Sequence, residues 1–130
     1  MESPKKKIFI IDDDNFLLDM YALKFAKSNF EVTTALGPDI AIEKLKQGFS
    51  PDIILLDIIM PVMDGFELLE KMRNEKMAEK AIKIILSNRG QQSDITRGKS
   101  LGASGYIVKA LSTPAEVIDK VNEIIKNPQK

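Results

Sequence analysis

Four positions in the chain carry side chains that could bind a cation, act as nucleophiles or pair with an anion, and each directly follows a short apolar segment. They are the acidic run Asp12-Asp13-Asp14, the carboxylate Asp57, the hydroxyl Ser87 and the cation Lys109. If the fold brings these carboxylates together, they repel one another, because unit charges about 4 Å apart interact by about 4 kcal/mol at an effective dielectric near 20. The pattern therefore predicts a hard divalent cation with oxygen ligands, for which Mg²⁺ is the expected choice.

The composition excludes several other kinds of site. The chain of 130 residues contains no His and no Cys, so it has no usual zinc ligands, thiol nucleophile, Ser-His dyad or disulfide. Its 19 Lys and Arg residues balance 19 Asp and Glu residues, which gives no overall attraction to nucleic acid or anionic lipid. No apolar stretch approaches the roughly 20 residues of a membrane span. We therefore expect a cytoplasmic protein that binds no membrane and does not bind nucleic acid directly.

Alternating strand and helix patterns are expected to position the four sites. Continuous apolar runs at 8–11, 53–56 and 84–86 are typical of central strands covered on both faces, as in a parallel α/β sheet. In such doubly wound sheets, ligands bind beyond the carboxyl ends of the strands, which is where the four positions lie. The predicted strands are 7–11, 31–35, 53–56, 83–86 and 106–108, and the predicted helices are 16–28, 38–47, 66–76, 92–101 and 114–126.

The length of the chain predicts one domain with one core, which we place at residues 5–127 with no second domain. Its last helix is the best marked, because Thr113-Pro114-Ala115-Glu116 has the form of a capping box with proline at the first helical position. The fourth helix is the weakest, since Ile95 and Leu101 are almost its only large apolar residues and Gly98 lies inside it. We expect that helix to be mobile, and the alternating strand at 31–35 to lie at an edge.

The ordered set of motifs resembles the receiver domain of two-component response regulators, and it is similar to the chemotaxis-type single-domain receivers. The resemblance covers essentially the whole chain and rests on Asp12-Asp13, Asp57, Met60-Pro61-Val62-Met63-Asp64-Gly65, Ser87, Tyr106 and Lys109. Each motif is common alone, but their order at successive strand ends is specific. The resemblance implies a flavodoxin-like, doubly wound, five-stranded parallel sheet of order 2-1-3-4-5, with five helices in a three-layer αβα arrangement.

The resemblance also implies a phosphorelay role. Asp57 would accept a phosphoryl group from the phosphohistidine of a sensor kinase or phosphotransfer protein. Mg²⁺ would be held by Asp13, Asp57 and the backbone carbonyl of Ile59, with Asp12 acting through water. The phosphoryl group would be bound by Lys109 and Ser87, and Tyr106 would turn inward.

The signal would then pass to an effector protein, or to a second copy of the chain, through a face built by the fourth helix, fifth strand and fifth helix. On this interpretation the protein is not an enzyme, because it catalyses only its own phosphorylation and dephosphorylation.

Two departures from the family pattern affect these expectations. The family usually has a cis-proline after the lysine, whereas Ala110 follows Lys109 here. A cis bond before alanine costs about 2.5–4 kcal/mol, against about 0.5–1 kcal/mol before proline, so we predict a trans bond or a strained cis bond and less efficient switching. Asn88, Arg89 and Ile59 occupy positions that line the site in the family, and we expect them to hinder water attack and lengthen the lifetime of the acyl phosphate.

Two alternatives remain open from the sequence. One is a pseudo-receiver, an interaction module that has kept the fold without phosphate signalling, for which the missing proline is the support. The other is a haloacid-dehalogenase-like phosphatase, because Asp12-Asp13-Asp14 contains two aspartates separated by one residue after the first strand. In that enzyme Asp12 would be the nucleophile and Asp14 the general acid.

Overall fold

The computed structural model describes residues 5–127 as a parallel five-stranded sheet with helices on both faces. The strand order is β2-β1-β3-β4-β5, which confirms the doubly wound order that the resemblance implies. The elements are β1 (Lys6–Asp12), α1 (Asn15–Lys27), β2 (Phe30–Leu36), α2 (Pro38–Lys46), β3 (Ile53–Leu56), α3 (Gly65–Asn74), β4 (Ile82–Ser87), α4 (Gln92–Ser100), β5 (Ala103–Val108), a 3₁₀ turn (Lys109–Leu111) and α5 (Pro114–Lys126).

The core lies in two layers, one on each face of the sheet. Helices α1 and α5 cover one face, where Phe25 and Val121 belong to the same buried apolar cluster as Ile10. Helices α2 and α3 cover the other face, where Phe66 and Met72 join the second layer. Strand β3 is apolar along its whole length, and β1 is apolar from Ile8 to Ile11, because both of their faces are buried there. Strand β2 lies at an edge, as its alternation predicts.

The structure differs from the sequence prediction most clearly at β5, which begins at Ala103 and not at Tyr106. A side chain on Gly105 would collide with Ile124 of α5, so the helix packs directly on the strand backbone there. Glycine carries none of the apolar pattern by which strands are recognised, and this explains why the first half of β5 was missed.

Helix α4 is present although it has little apolar surface. Gly98 allows it to lie close to the sheet, since a Cβ there would be 2.6 Å from Cδ1 of Ile85. The guanidinium carbon of Arg97 lies 4.4 Å from the centroid of the Phe66 ring, at the distance of a cation–π contact. Polar and cationic contacts thus replace the missing apolar stripe, and the mobility of α4 stays a prediction.

The first helix begins at Asn15, one residue before its predicted start, and the last helix begins at Pro114 as predicted. The Asp14 carboxylate accepts the N–H of Leu17 at 3.1 Å and caps α1. Thr113 and Glu116 form the reciprocal capping box at the start of α5, with N···O distances of 3.2 and 2.8 Å. Over the part of the chain that the structure describes, no helix has the length and apolar character needed to span a membrane.

Candidate functional site

The two acidic segments are brought together by the pairing of β1 with β3. Asp12 is the last residue of β1, and Asp57 directly follows β3. The strands are parallel neighbours in which Ile11 is opposite Leu56, and the N–H of Asp57 donates to the carbonyl of Ile11 at 3.0 Å. Both carboxylates therefore emerge from the same edge of the sheet, as the sequence predicts.

Lys109 connects these two carboxylates. Its Nζ lies 2.8 Å from Oδ2 of Asp12 and 2.9 Å from Oδ2 of Asp57, and all three side chains are at least nine-tenths buried. Burial alone would lower the pKa of Lys109, but its hydrogen bonds to Asp12 and Asp57 outweigh that effect and raise it. The lysine is therefore a fixed positive charge, and it lies next to the proposed acceptor as the resemblance implies.

The remaining carboxylate oxygens are oriented by backbone groups. Oδ1 of Asp12 accepts the N–H of Asp14 at 3.0 Å, and Oδ1 of Asp57 accepts the N–H of Ile59 at 3.1 Å. Despite these contacts and Lys109, burial raises the pKa of Asp12. Both carboxylates are thus held in place, and burial makes ionisation of Asp12 less favourable.

The donor set fits a hard cation. Asp12, Asp13 and Asp57 each offer a carboxylate oxygen, and these oxygens lie within 4.8 Å of one another. Asp13 is exposed to solvent, whereas Asp12 and Asp57 are buried, so the cluster opens to water on one side. Carboxylates with access to water are the coordination that Mg²⁺ favours. The fourth predicted ligand, the carbonyl of Ile59, belongs to a residue whose N–H already contacts Asp57.

The loop after Asp57 passes close beneath the acceptor because of Gly65. A Cβ at this position would collide with the carbonyl oxygen of Asp57 and would lie 2.7 Å from Cα of Ile58. The N–H of Gly65 donates to the carbonyl of Ile58 at 2.8 Å, and Asp64 caps α3 by accepting the N–H of Glu67 at 2.9 Å. The Asp64-Gly65 pair of the motif therefore sets the path of the backbone that carries Asp57.

Ser87 and Tyr106 lie on the adjacent strands. Ser87 is buried at the end of β4, and its Oγ accepts the N–H of Arg89 at 3.3 Å. The Tyr106 hydroxyl on β5 donates to the carbonyl of Arg89. Burial, followed by the nearby charge of Asp94, raises the pKa of Tyr106 to about 12, so this hydroxyl is protonated at neutral pH. The loop after β4 is thereby linked to both residues.

The three residues predicted to tune the lifetime are all exposed, in the loops after β3 and β4. Ile59 has 49% of its surface exposed. The side chain of Arg89 is directed to α4, where Nη2 lies 2.8 Å from Oδ1 of Asp94. Asp94 is buried and was missed by the sequence analysis, although its position three residues after Gln91 at a helix start is a capping signal that could have found it.

The peptide bond between Lys109 and Ala110 is trans, as are all peptide bonds among residues 5–127. This agrees with the first of the two predicted outcomes. Residues 109–111 form a 3₁₀ turn without any positive φ angle, and Lys109 still reaches Asp57. The missing proline therefore does not displace the lysine.

Comparison with known proteins identifies the family to which this site belongs. A family model described as the response regulator receiver domain matches residues 8–122. This chain is a member of that family. Receiver domains are signalling domains of two-component systems; they generally bind Mg²⁺ and interact with sensor kinases or phosphotransfer partners.

The curated relatives of this receiver domain are longer proteins. The phosphate regulon transcriptional regulatory protein PhoB of Rhizobium meliloti is 32% identical over 120 residues, which cover 92% of this chain and 52% of PhoB. The alkaline phosphatase synthesis transcriptional regulatory protein PhoP of Bacillus subtilis is 29% identical over 124 residues, 95% of this chain and 50% of PhoP. The chain thus spans about half the length of these relatives.

Solved receiver structures share the fold over nearly the whole chain. A CheY-like response regulator receiver domain protein from Methanospirillum hungatei is 28% identical with a TM-score of 0.82, and the match covers 94% of both chains. The chemotaxis protein CheY4 of Vibrio cholerae is 25% identical with a TM-score of 0.84, covering 92% of this chain and 98% of CheY4. The fold class and the family resemblance inferred from the sequence are confirmed by these matches.

Proposed function

We propose that this receiver domain is a Mg²⁺-dependent switch that accepts a phosphoryl group on Asp57. The observation that carries the proposal is the buried contact of Lys109 with both Asp12 and Asp57, beside the exposed carboxylate of Asp13. A carboxylate held by a fixed cation and two backbone contacts is a positioned nucleophile. A merely structural ion pair would not need the third carboxylate at the same edge of the sheet.

The phosphoryl donor in this proposal is a phosphohistidine. An oxygen of Asp57 forms a bond to phosphorus while the phosphorus–nitrogen bond breaks, and the electron pair stays on the imidazole nitrogen, which then takes up a proton. Lys109 keeps its charge throughout and faces the phosphoryl oxygens, and the Ser87 hydroxyl donates to one of them once the group is present. These 130 residues contain no histidine, so the phosphohistidine must lie outside them.

Asp13, Asp57 and the Ile59 carbonyl would hold Mg²⁺, with Asp12 acting through water. When bound, the cation would neutralise the charge that spreads over the phosphoryl oxygens during transfer. Lys109 already occupies one oxygen each of Asp12 and Asp57. In the proposal, Lys109 orients the two carboxylates so that the lone pairs not used in hydrogen bonds are directed to the cation site beside Asp13.

Exposed apolar side chains around the site support a protein donor rather than a small molecule alone. Phe16 at the start of α1 and Leu111 after β5 are 79% and 77% exposed, and Val62 after β3 is 95% exposed. All three lie in segments that follow the carboxyl ends of strands, as Asp57 does. Large apolar residues exposed at the same end of a sheet can contribute to a contact surface. We propose that a sensor kinase or phosphotransfer protein docks there, which places the reaction in the cytoplasm, where ATP charges such kinases.

The output surface in this proposal is formed by α4, β5 and α5. The hydroxyl of Tyr106 on β5 already contacts the loop that leads from Ser87 to α4. A phosphoryl group that draws in the Ser87 hydroxyl would therefore move this loop and the face beside it. The reader of that face would be an effector protein or a second copy of the chain, and no direct nucleic-acid contact is proposed.

The structure gives no specific support to the phosphatase alternative. Its general acid would be Asp14, whose carboxylate instead accepts the N–H of Leu17 as the cap of α1. The pseudo-receiver alternative loses its sequence argument, since Lys109 reaches Asp57 without the proline. In our proposal the only reactions that the chain catalyses are its own phosphorylation and dephosphorylation.

Intact-mass measurement after incubation with Mg²⁺ and acetyl phosphate tests the proposal. We expect the wild type to gain one phosphoryl group, and to gain none in EDTA. Asp57→Asn should gain none, whereas Asp52→Asn should behave as the wild type, because Asp52 lies at the opposite end of β3, where it accepts the N–H of Lys7. Phosphorylation of Asp57→Asn, or no Mg²⁺-dependent gain in the wild type, would refute the assignment.

A further inference from the structure

A cavity of about 270 Å³ lies at the amino end of β4. It is bounded by α3, by the segment 77–81 that leads into β4, and by the turn between α4 and β5. Lys83, the second residue of β4, lines this cavity, whereas the acidic site lies beyond the carboxyl ends of the strands. The cavity is therefore at the opposite end of the sheet from Asp57, and the proposed phosphoryl transfer does not use it.

The cavity has enough apolar surface to hold a small organic group. Leu69 and Met72 of α3, both buried, contribute to its lining, as do the half-buried side chains of Met77 and Leu101. An apolar cavity of about 150 Å³ is large enough to bind benzene. The larger cavity beside α3 therefore has room for one aromatic ring together with a polar head group.

Two cations line the same cavity without a carboxylate partner. Nζ of Lys83 donates to two backbone carbonyls at 2.7 and 3.3 Å, and Nη1 of Arg73 donates to the carbonyl of Ser100 at 3.1 Å. Within residues 5–127, neither side chain forms an ion pair. Burial lowers the pKa of Lys83, and the charge of Glu79, which also lines the cavity, offsets only part of that effect. An anion beside Lys83 would therefore stabilise its charged form.

The charges select the class of ligand. Among the residues that line the cavity, Arg73 and Lys83 are cationic and Glu79 is anionic, so one positive charge is unbalanced. An ammonium has three N–H donors and a guanidinium has five, so both side chains can donate to a carboxylate and keep their backbone contacts. We propose that this cavity binds a small amphipathic monocarboxylate, with its carboxylate on Lys83 and Arg73 and its apolar group against Met77 and Leu101. This site would operate independently of the phosphorylation of Asp57.

Titration of the full chain with phenylacetate, in EDTA and without any phosphoryl donor, tests the proposal. We expect calorimetry to show saturable one-to-one binding with a Kd at or below about 1 mM. In NMR spectra of methyl-labelled methionines, the Met77 signal should shift, whereas Met20, which packs on the other face of the sheet, should not. Phenylacetamide has nearly the same shape without the charge, and we expect it to bind about tenfold more weakly, which corresponds to about 1.4 kcal/mol.

The deciding variant is Arg73→Met, because Arg73 is exposed and its replacement leaves the core intact. We expect Arg73→Met and Lys83→Met each to weaken binding about tenfold, and Arg73→Lys to retain most of the affinity. The matched control is Lys44→Met, which removes another half-buried lysine whose Nζ donates to the carbonyl of Thr34 at 2.9 Å, and which should bind as the wild type does.

Four results would each overturn the inference of an anion site. They are the absence of saturable binding in the wild type, equal affinity for acid and amide, undiminished binding by Arg73→Met, and a shift of Met20 without one of Met77. Each is measured on unphosphorylated protein, so none bears on the proposed function. Conversely, a wild type that gains no phosphoryl group would leave the expected binding of phenylacetate unchanged.

Discussion

Replacement of Lys109 by methionine should make folding depend on Mg²⁺. The change keeps the length and most of the volume of the side chain and removes a charge that lies 2.8 and 2.9 Å from two buried carboxylates. Breaking a buried ion pair by removing one partner typically costs about 3–5 kcal/mol, because the other partner is left uncompensated. We expect a loss of this size in the free energy of unfolding of Lys109→Met measured in EDTA.

Much of that loss should be recovered in Mg²⁺. A cation among Asp12, Asp13 and Asp57 would take over the balancing role of Lys109 and would no longer be repelled by it. A unit charge and a divalent cation about 5 Å apart repel by about 1.7 kcal/mol even at the dielectric of water. The stabilisation by saturating Mg²⁺ should therefore be larger in Lys109→Met than in the wild type by at least about 1–2 kcal/mol.

Urea denaturation in EDTA and in Mg²⁺ gives the four free energies that are needed. Lys83→Met is the matched control, because Lys83 is also a partly buried lysine, but its Nζ donates to the carbonyls of Ala78 and Ala81 at 2.7 and 3.3 Å. Its loss of stability should be the same with and without Mg²⁺. If Mg²⁺ raised the free energy of unfolding by the same amount in the wild type and in Lys109→Met, the reasoning would be refuted, since the lysine and the cation would then not share one site.

Three further predictions follow from single contacts. Gly65→Ala should lower the free energy of unfolding by about 1–3 kcal/mol and reduce phosphorylation, because its Cβ collides with the backbone of Asp57; unchanged urea midpoint and phosphorylation would contradict this. Thr113→Ala should cost about 1 kcal/mol in urea unfolding through loss of the α5 cap, and Thr113→Ser should restore most of it. In Tyr21→Phe, Tyr106 is the remaining tyrosine, and its tyrosinate absorbance should appear near pH 12 rather than near 10.0. Because the pKa of Tyr106 is raised in the folded protein, the stability associated with this residue should be present below pH 10 and lost as the pH rises toward 12.

The sequence was sufficient for the strands and for the residues at their ends because these depend on short, local patterns, whereas the strand order came from the family resemblance. Residues 53–56 are apolar since both faces of β3 are covered, and Asp57 is placed by being the next residue. Once the strand order implied by the resemblance makes β1 and β3 neighbours, Asp12 must lie close to Asp57. Positions at strand ends are thus predictable even where the side-chain contacts are not.

The features that the sequence did not predict depend on contacts between elements. The first half of β5 was missed because Gly105 accommodates Ile124 of a distant helix. The Arg89–Asp94 pair was missed because each residue alone is an ordinary exposed or capping charge, and only the folded loop brings the guanidinium to a buried carboxylate. Helix α4 was predicted, but the contacts of Arg97 and Gly98 that hold it against α3 and the sheet were not.

The charges at the site explain why a cation should precede phosphoryl transfer. Asp12, Asp13 and Asp57 carry three negative charges when ionised, and Lys109 returns one, so the cluster has two unbalanced negative charges in a chain whose formal net charge is zero. A divalent cation brings the cluster to neutrality. In the proposed reaction, phosphorylation would replace the single charge of Asp57 by nearly two, which would add about one negative charge. With the cation bound and Lys109 included in the sum, the phosphorylated cluster would carry a net charge of about −1. Without the cation it would carry about −3 in a largely buried site, and at that density Asp57 would repel an incoming phosphoryl donor rather than attack it.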